Sequence, residues 1–154
     1  MAVNTSLCYI EKDDSYLMLL RNKKANDPNE GKWIGCGGHF EDGESPEDCM
    51  KREVFEETGL TAVDYRYRGI VTFVSDEYET EYMHLFTVSG TEGELAKDCD
   101  EGQLCWIRKS DIMNLNLWEG DRLFLRFLLE DKPFFSMKLV YKGDELADST
   151  VRLY

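Results

Sequence analysis

The stretch Gly38–Leu60, which reads GHFEDGESPEDCMKREVFEETGL, gives the clearest indication of how this chain folds. Ser45 can cap a helix, the proline after it suits the first helical position, and Asp48 completes a capping-box pattern. Gly59 suits the left-handed conformation in which many helices end. The sequence therefore predicts a helix over Pro46–Thr58, directly after a glycine-rich loop.

Three glutamates of this helix, Glu53, Glu56 and Glu57, fall within roughly 100° of one helical face. Like charges at these spacings destabilise an isolated helix by on the order of a few tenths of a kcal/mol per pair. The face is either a solvated acidic surface or a binding surface for hard divalent cations, which take carboxylate oxygens and bridge substrate phosphates. The neighbouring glycines favour cation binding, because they let the backbone approach a ligand closely.

The same stretch resembles the Nudix box, G-x5-E-x7-R-E-U-x-E-E-x-G-U, in which U is a bulky aliphatic residue. Each specified position is matched at the correct spacing, by Gly38, Glu44, Arg52, Glu53, Val54, Glu56, Glu57, Gly59 and Leu60. The resemblance implies an α+β protein with the Nudix fold, an α/β/α sandwich with a mixed sheet and a loop–helix–loop catalytic motif. It also implies hydrolysis of a nucleoside diphosphate linked to another group.

The resemblance further implies a metal site and a cofactor. The implied ligands are the backbone carbonyl of Gly37 and the carboxylates of Glu53, Glu56 and Glu57, with Glu53 either a ligand or the base that activates water. The implied cofactor is Mg²⁺, and Mn²⁺ also suits such ligands.

Two more charged residues of the box, and one outside it, have expected roles. Arg52 is expected to orient the glutamates through charge-assisted hydrogen bonds, and Glu44 to support the loop from behind the ligands. Glu101, which precedes an apolar strand, is a candidate additional ligand or base. The alternative for Glu101 is a solvated acidic turn.

The C-terminal part of the chain contains Trp106-Ile107, Leu117-Trp118-Glu119-Gly120-Asp121 and the run Leu128–Phe135. Together with the box and Gly31-Lys32-Trp33, this pattern resembles MutT-type hydrolases of oxidised purine nucleoside triphosphates, the 8-oxo-dGTP diphosphatases. That resemblance implies that Trp118 stacks on the base and Asp121 reads its edge, with Gly38 and Ile34 also contacting substrate. The alternatives are that Trp118 is a core or staple residue and that Asp121 is a helix N-cap. Ile34 stands where some relatives have a base-contacting asparagine, and Gly120 where some have a first aspartate.

The charge and the hydrophobic pattern of the sequence limit the kinds of partner that the protein can bind. The net charge is −13, so the surface repels a nucleic-acid backbone and no nucleic-acid polymer is expected as partner. No apolar run approaches the roughly 18 residues that a membrane span needs, and no secretory signal pattern begins the sequence. We therefore expect a cytoplasmic protein, a monomer or homodimer, that takes a small-molecule nucleotide substrate.

One domain over residues 1–154 suits the length. Besides the helix over Pro46–Thr58, we expect a second helix that follows a loop within Leu117–Glu130. The predicted strands are Thr5–Ile10, Tyr16–Arg21, Tyr65–Val74, Tyr82–Ser89 and Gln103–Arg108, followed by a hairpin of Phe134–Tyr141 and Leu146–Tyr154. The five cysteines form no CxxC pair, which disfavours a disulfide framework or a zinc site. Cys8 and Cys105 lie in apolar runs and are expected in the core.

Three functions compete at this point. The leading one is hydrolysis of oxidised purine nucleoside triphosphates to the monophosphate and pyrophosphate, which would clean the nucleotide pool and so avoid DNA damage. A second is a Nudix hydrolase of another nucleoside diphosphate derivative, such as ADP-ribose or a dinucleotide. A third is a non-catalytic nucleotide sensor, although such domains commonly lose box glutamates and all of them are present here.

Overall fold

The computed structural model describes residues 1–96 and 98–154. In chain order its strands and helices are β1 (Val3–Lys12), β2 (Ser15–Arg21), β3 (Trp33–Ile34), β4 (Cys36–His39), α1 (Pro46–Thr58), β5 (Thr61–Ser75), β6 (Glu81–Glu92), β7 (Asp98–Cys99), β8 (Gly102–Arg108), a 3-10 helix (Lys109–Asn114), α2 (Glu119–Leu129), β9 (Phe135–Lys142) and β10 (Glu145–Leu153). No helix in the described part of the chain is long and apolar enough to cross a membrane.

The described strands form one mixed sheet, as expected. Its main path runs β10-β9-β5-β6-β1-β2-β8-β7, with β3 paired to β2 and β4 paired to β1. The β1–β6 and β5–β9 pairs are parallel, and the other pairs are antiparallel. The glycine-rich strand β4 and the central strand β6 therefore flank β1 near the middle of the sheet.

Strand β1 shows how the two helices come to cover opposite faces. Successive side chains of a strand point to opposite faces of the sheet. Leu7 and Tyr9 belong to the hydrophobic cluster that includes Phe124 of α2. Cys8 belongs to the other cluster, which includes Met50 of α1. The sheet lies between α1 and α2, which confirms the α/β/α sandwich.

Helix α1 has the bounds that its capping signals predicted. The Ser45 hydroxyl accepts a hydrogen bond from the Asp48 backbone N–H, and the Asp48 carboxylate accepts one from the Ser45 N–H, both at 3.1 Å. Gly59 adopts φ 78°, and its N–H donates to the Phe55 carbonyl. These local contacts fix both ends of the helix that carries the box glutamates.

Two features differ from expectation. The 3-10 helix Lys109–Asn114 was not predicted, because so short an element leaves no clear hydrophobic period. The expectation that Cys105 lies in the core is wrong: Cys8 is buried, but Cys105 is exposed. Cys105 belongs to strand β8, which pairs with β2 on one side. On its other side β8 pairs with the two-residue strand β7, so this edge of the sheet is only partly covered.

Candidate active site

A cleft of about 720 Å³ opens beside the glycine-rich strand β4 and the start of α2. Its volume lies in the usual range for small-molecule sites. The expected substrate and metal residues that line it are Ile34, Gly37, Gly38, Glu101, Trp118 and Asp121. Sequence segments far apart in the chain thus meet in one cavity.

Arg52 organises the acidic groups around the start of the box. Its Nε and Nη2 atoms donate to both carboxylate oxygens of Glu44, at 2.7 and 2.9 Å. Its Nη1 donates to Glu53 at 2.8 Å and to Glu56 at 3.2 Å, while Nη2 also donates to the His39 carbonyl at 3.0 Å. These hydrogen bonds, above all the one to Glu44, raise the pKa of Arg52. The guanidinium therefore spans the loop and the helix, as its expected orienting role requires.

Glu44 supports this arrangement from the loop. Besides the two bonds from Arg52, its Oε1 atom accepts a hydrogen bond from the Glu41 N–H at 2.7 Å. The contact with Arg52 holds the pKa of Glu44 below its ordinary value. An ionised Glu44 keeps the Arg52 guanidinium in place.

Glu57 lies at the inner end of the acidic face and is buried. Its Oε2 atom accepts a hydrogen bond from the Gly37 N–H at 2.9 Å. Burial, a hydrogen bond with Glu101 and the charges of Glu101 and Glu53 together raise the pKa of Glu57 to about 9. Without a cation, this pair of carboxyl groups therefore retains a proton at neutral pH.

Gly38 and Glu53 are in close contact. A Cβ atom on Gly38 would lie 2.5 Å from the Oε1 atom of Glu53, closer than non-bonded atoms tolerate. Burial raises the pKa of Glu53, and the bond from Arg52 opposes that effect. The first residue of the box is thus glycine because the Glu53 carboxylate occupies the space that a side chain would need.

The expected metal ligands do not already form a closed cage: within residues 1–96 and 98–154, no three acidic, histidine or cysteine side chains converge in metal-binding geometry. Arg52 holds Glu53 and Glu56, while Glu57 faces Glu101.

The donor set nevertheless fits a hard divalent cation. All the groups offer oxygen atoms, and burial and mutual repulsion raise the pKa of Glu57, an effect that a bound cation would offset. In addition, the buried Oε2 atom of Glu101 accepts no well-directed hydrogen bond among the described residues, and its ion-pair partner, Nη1 of Arg21, lies 3.5 Å away.

Glu101 therefore reaches the acidic face instead of projecting from a solvated turn. Its side chain is 26% exposed, and its Oε2 lies 3.5 Å from Nη1 of Arg21. Arg21, at the end of β2, also pairs with Asp27 at 2.8 Å, and both line the cleft. Sequence reasoning missed Arg21, although a cation at the end of an apolar strand was a visible signal.

Trp118 lines the same cleft and is half-buried. Its indole N–H donates to Oδ1 of Asn29 at 2.8 Å, and Nζ of Lys32 lies 4.8 Å from the ring centroid. The Tyr141 ring packs edge-on against it, with the centroids 5.9 Å apart. Trp118 also packs against the core cluster on the α2 side. Trp118 therefore packs against the core and also contributes to the cleft wall.

Asp121 is buried, with 6% of its surface exposed, and also lines the cleft. Burial and the charge of Glu81 raise the pKa of Asp121 to about 7, while Lys32 lowers it. The alternative that Asp121 is the N-cap of α2 is wrong. The N-cap residue is Trp118, and Asp121 is the third residue of the helix.

Gly120 occupies its position for a steric reason. Its N–H, one of those that the helix itself leaves without a partner, donates to the Tyr141 hydroxyl at 2.7 Å. A Cβ atom here would lie 2.6 Å from that hydroxyl and 2.7 Å from Cδ1 of Leu139. The sequence alone did not point to Tyr141, which comes from β9 and shares no local pattern with α2.

Two histidines and a tryptophan, none of which belongs to a motif, have the following contacts. His84 contacts the Tyr67 hydroxyl through Nδ1 and Oδ1 of Asn4 through Nε2. Trp33 packs against the core cluster. His39 is exposed at the margin of the cleft. Of these three, only His39 lies where a phosphate group could reach it.

Comparison with known proteins agrees with this geometry. Residues 2–128 match the family model of the NUDIX domain. An uncharacterized Nudix hydrolase of Bacillus subtilis, YvcI, is 32% identical over 138 residues, which cover 87% of this chain and 84% of that protein. An oxidized purine nucleoside triphosphate hydrolase of Danio rerio is 36% identical over 108 residues, which cover 68% of this chain and 67% of that one.

Solved structures show the same fold. A MutT protein of Bacillus halodurans superimposes with a TM-score of 0.86 at 28% identity, covering 97% of both chains. A MutT protein of Methanosarcina mazei superimposes with a TM-score of 0.71 at 26% identity, covering 85% of this chain and 96% of that one. The chain belongs to the Nudix hydrolases, phosphohydrolases that generally use divalent metal ions and act on small-molecule nucleotides.

Proposed function

We propose that this Nudix hydrolase is a Mg²⁺-dependent diphosphatase of purine nucleoside triphosphates. Its favoured substrates are oxidised purines such as 8-oxo-dGTP, and its products are the nucleoside monophosphate and pyrophosphate. In this role it acts in the cytoplasm as a single Nudix domain over residues 1–154, and removal of oxidised precursors avoids DNA damage.

One observation carries the proposal. The lining of one cleft combines the glycines of strand β4 and the carboxylate Glu101 with the half-buried Trp118 and the buried Asp121. Such a cleft suits a ligand that is anionic at one end and aromatic at the other. The Danio rerio and Mus musculus relatives, both named as oxidized purine nucleoside triphosphate hydrolases, support the same substrate class.

The residues that would hold Mg²⁺ are the carboxylates of Glu53, Glu56 and Glu57 and the carbonyl of Gly37, with Glu101 as an added ligand or base. When bound, the ion neutralises phosphate charge and lowers the pKa of a coordinated water. The carboxylates that line the cleft, among them Glu81 and Glu101, would otherwise repel the triphosphate.

Side chains of the protein orient the ligands, accept the proton of the attacking water and bind the phosphate chain. Arg52 keeps Glu53 and Glu56 directed along one face. Glu53 and Glu101 are the two carboxylates that we assign as candidates to accept the proton of the attacking water. Arg21, on the cleft wall beside Glu101, offers a cation to the phosphate chain.

In the same cleft, the indole of Trp118 stacks on the purine, and Asp121 accepts a hydrogen bond from the edge of the purine. Ile34 forms an apolar part of the wall and makes no polar contact through its side chain. A second candidate function, hydrolysis of another nucleotide derivative, is favoured by that same Ile34, which stands where some relatives carry a base-reading asparagine.

Steady-state assays with a nucleotide panel in Mg²⁺ test the proposal. We expect the highest kcat/KM with 8-oxo-dGTP, lower values with dGTP and dATP, and the lowest with ADP-ribose, NADH and dinucleoside polyphosphates. Equal or faster turnover of the last group would favour the second candidate. Tight nucleotide binding without hydrolysis in Mg²⁺ or Mn²⁺ would indicate the non-catalytic sensor.

A further inference from the structure

The Tyr141 hydroxyl accepts one hydrogen bond within the fold, and its own proton remains available to a ligand. Its oxygen accepts the N–H of Gly120 at 2.7 Å. A phenol also donates one proton. Among residues 1–96 and 98–154, no acceptor for that proton is found within hydrogen-bond distance. The spare O–H belongs to a residue that lines the cleft.

The position of this hydroxyl is defined on three sides. Gly120 contacts it from α2, and Leu139 of β9 lies against the same space. The Tyr141 ring stands at 82° to the Trp118 ring, edge-on. A flat ligand on Trp118 would thus lie next to the tyrosine and to Asp121, whose charge acts on Tyr141. Burial raises the pKa of Tyr141 to about 12, so the group remains a donor at neutral pH.

A hydroxyl donor beside a carboxylate acceptor is complementary to one kind of purine edge. A 6-oxo purine presents a carbonyl acceptor next to a ring N–H donor. A 6-amino purine presents an amino donor at the same position, which would face the O–H donor without an acceptor between them. A polar site that leaves one of its groups unpaired rejects the mismatched ligand.

We propose that Tyr141 is a specificity-determining residue that donates a hydrogen bond to the 6-oxo group of the purine, while Asp121 accepts one from the adjacent ring N–H. The tyrosine takes this place because its hydroxyl fills the space that a side chain at position 120 would need. This inference rests on the proposed function and refines it: the enzyme selects 6-oxo over 6-amino purine nucleoside triphosphates.

The test compares 8-oxo-dGTP with 8-oxo-dATP, which differ at the 6-position, the adjacent N1 and the 2-amino group; ITP and ATP differ at the first two alone. Assays run in Mg²⁺ at pH 8.5, where Asp121 is ionised because its pKa is about 7. Burial and the charge of Glu81 raise that pKa, and Lys32 lowers it. Tyr9 and Tyr141 also interact electrostatically with this carboxyl group. We expect the wild-type enzyme to prefer the 6-oxo member of each pair.

The main variant is Tyr141→Phe, which keeps the ring and removes the hydroxyl. Loss of the hydrogen bond to the 6-oxo group predicts a rise of about five- to ten-fold in KM for the 6-oxo substrates, with kcat and the 6-amino substrates little changed. Loss of the bond from the Gly120 N–H should lower the melting temperature of the variant. Tyr82→Phe, at an exposed side chain outside the cleft lining, is the matched control and should leave all four KM values unchanged.

The comparison within each substrate pair keeps the test independent of small losses in stability, because such a loss affects the 6-oxo and the 6-amino member alike. A thermal melt shows whether each variant is folded.

Equal effects of Tyr141→Phe on 6-oxo and 6-amino substrates, or no effect on either, would overturn the role of Tyr141 while leaving the proposed function intact. Absence of purine nucleoside triphosphate hydrolysis in the wild-type enzyme would overturn both.

Discussion

The backbone N–H of Gly37 donates a hydrogen bond to Oε2 of Glu57 at 2.9 Å, across 20 positions of the sequence. This bond ties the glycine-rich strand to the last glutamate of the box and turns the Gly37 peptide toward the acidic face. Together with the contact between Gly38 and Glu53, it sets how closely the loop approaches helix α1.

Gly38→Ala should disrupt that approach. The new Cβ would lie 2.5 Å from the Glu53 carboxylate, which must then move. We expect kcat/KM to fall about 100-fold, the size of effect that a displacement of about 1 Å causes at a catalytic group. Gly43→Ala is the control. Position 43 has no neighbour within 4 Å, and its φ of +82° predicts a loss of about 1 kcal/mol in stability with activity retained. Similar activity of the two variants would show that Glu53 tolerates displacement.

Arg52→Lys should weaken catalysis although the charge is kept. A lysine cannot donate to both oxygens of Glu44 and also reach Glu53 and the His39 carbonyl. Steady-state kinetics should show a fall of about 10- to 100-fold in kcat/KM, as for groups that position metal ligands. Arg66→Lys, at an exposed ion pair with Asp131, should leave activity unchanged. Full activity of Arg52→Lys would contradict the orienting role.

Trp118→Leu should impair substrate binding more than the chemical step. Base–aromatic stacking contributes about 1–3 kcal/mol, so KM for 8-oxo-dGTP should rise by about 5- to 100-fold with kcat nearly constant. Trp118→Phe keeps an aromatic face but loses the hydrogen bond to Asn29, and its KM should lie between those of the wild-type protein and Trp118→Leu. Trp106→Phe, on the α1 side of the sheet, serves as control. An unchanged KM in Trp118→Leu would exclude stacking.

Asp121 should make the stability of the protein depend on pH. Burial raises the pKa of Asp121 from the ordinary value of 3.8 to about 7, so the folded state binds the proton more tightly than the unfolded state does. The associated stability is fully present below about pH 4 and is lost as pH rises through 7.

Urea denaturation should therefore show wild-type protein losing up to roughly 4 kcal/mol more than Asp121→Asn between pH 4 and pH 8, an upper limit from a shift of about three pKa units. Parallel pH profiles of the two proteins would show that Asp121 is ionised without cost.

The extent to which sequence predicts this structure follows from the range of the interactions involved. Helix α1 has the predicted bounds because Ser45, Asp48 and Gly59 act within a few residues of its ends. Every predicted strand lies where it was expected, and most are longer than predicted, since their ends depend on pairing with distant partners; β5 spans Thr61–Ser75 instead of starting at Tyr65. The short strands β3, β4 and β7 were not predicted.

The candidate active site shows the same difference between local and long-range contacts. The acidic face and its glycines were visible in one continuous stretch. The link from Glu101 to Glu57 was only a candidate, and the contact of Tyr141 with Gly120 was not predicted at all. Such contacts join elements that meet only after the sheet has formed, so spacing along the chain carries no signal for them.

The most direct test of the metal-dependent site is product analysis of 8-oxo-dGTP hydrolysis by the wild-type protein and Glu57→Gln, with Mg²⁺ and with EDTA. We expect wild-type protein to release 8-oxo-dGMP and pyrophosphate only with Mg²⁺. Glu57→Gln should remain folded and lose at least about 100-fold in kcat/KM, while Glu47→Gln, in the first turn of the same helix, should retain activity. Undiminished hydrolysis in EDTA or by Glu57→Gln would contradict the assignment of the acidic face as the catalytic metal site.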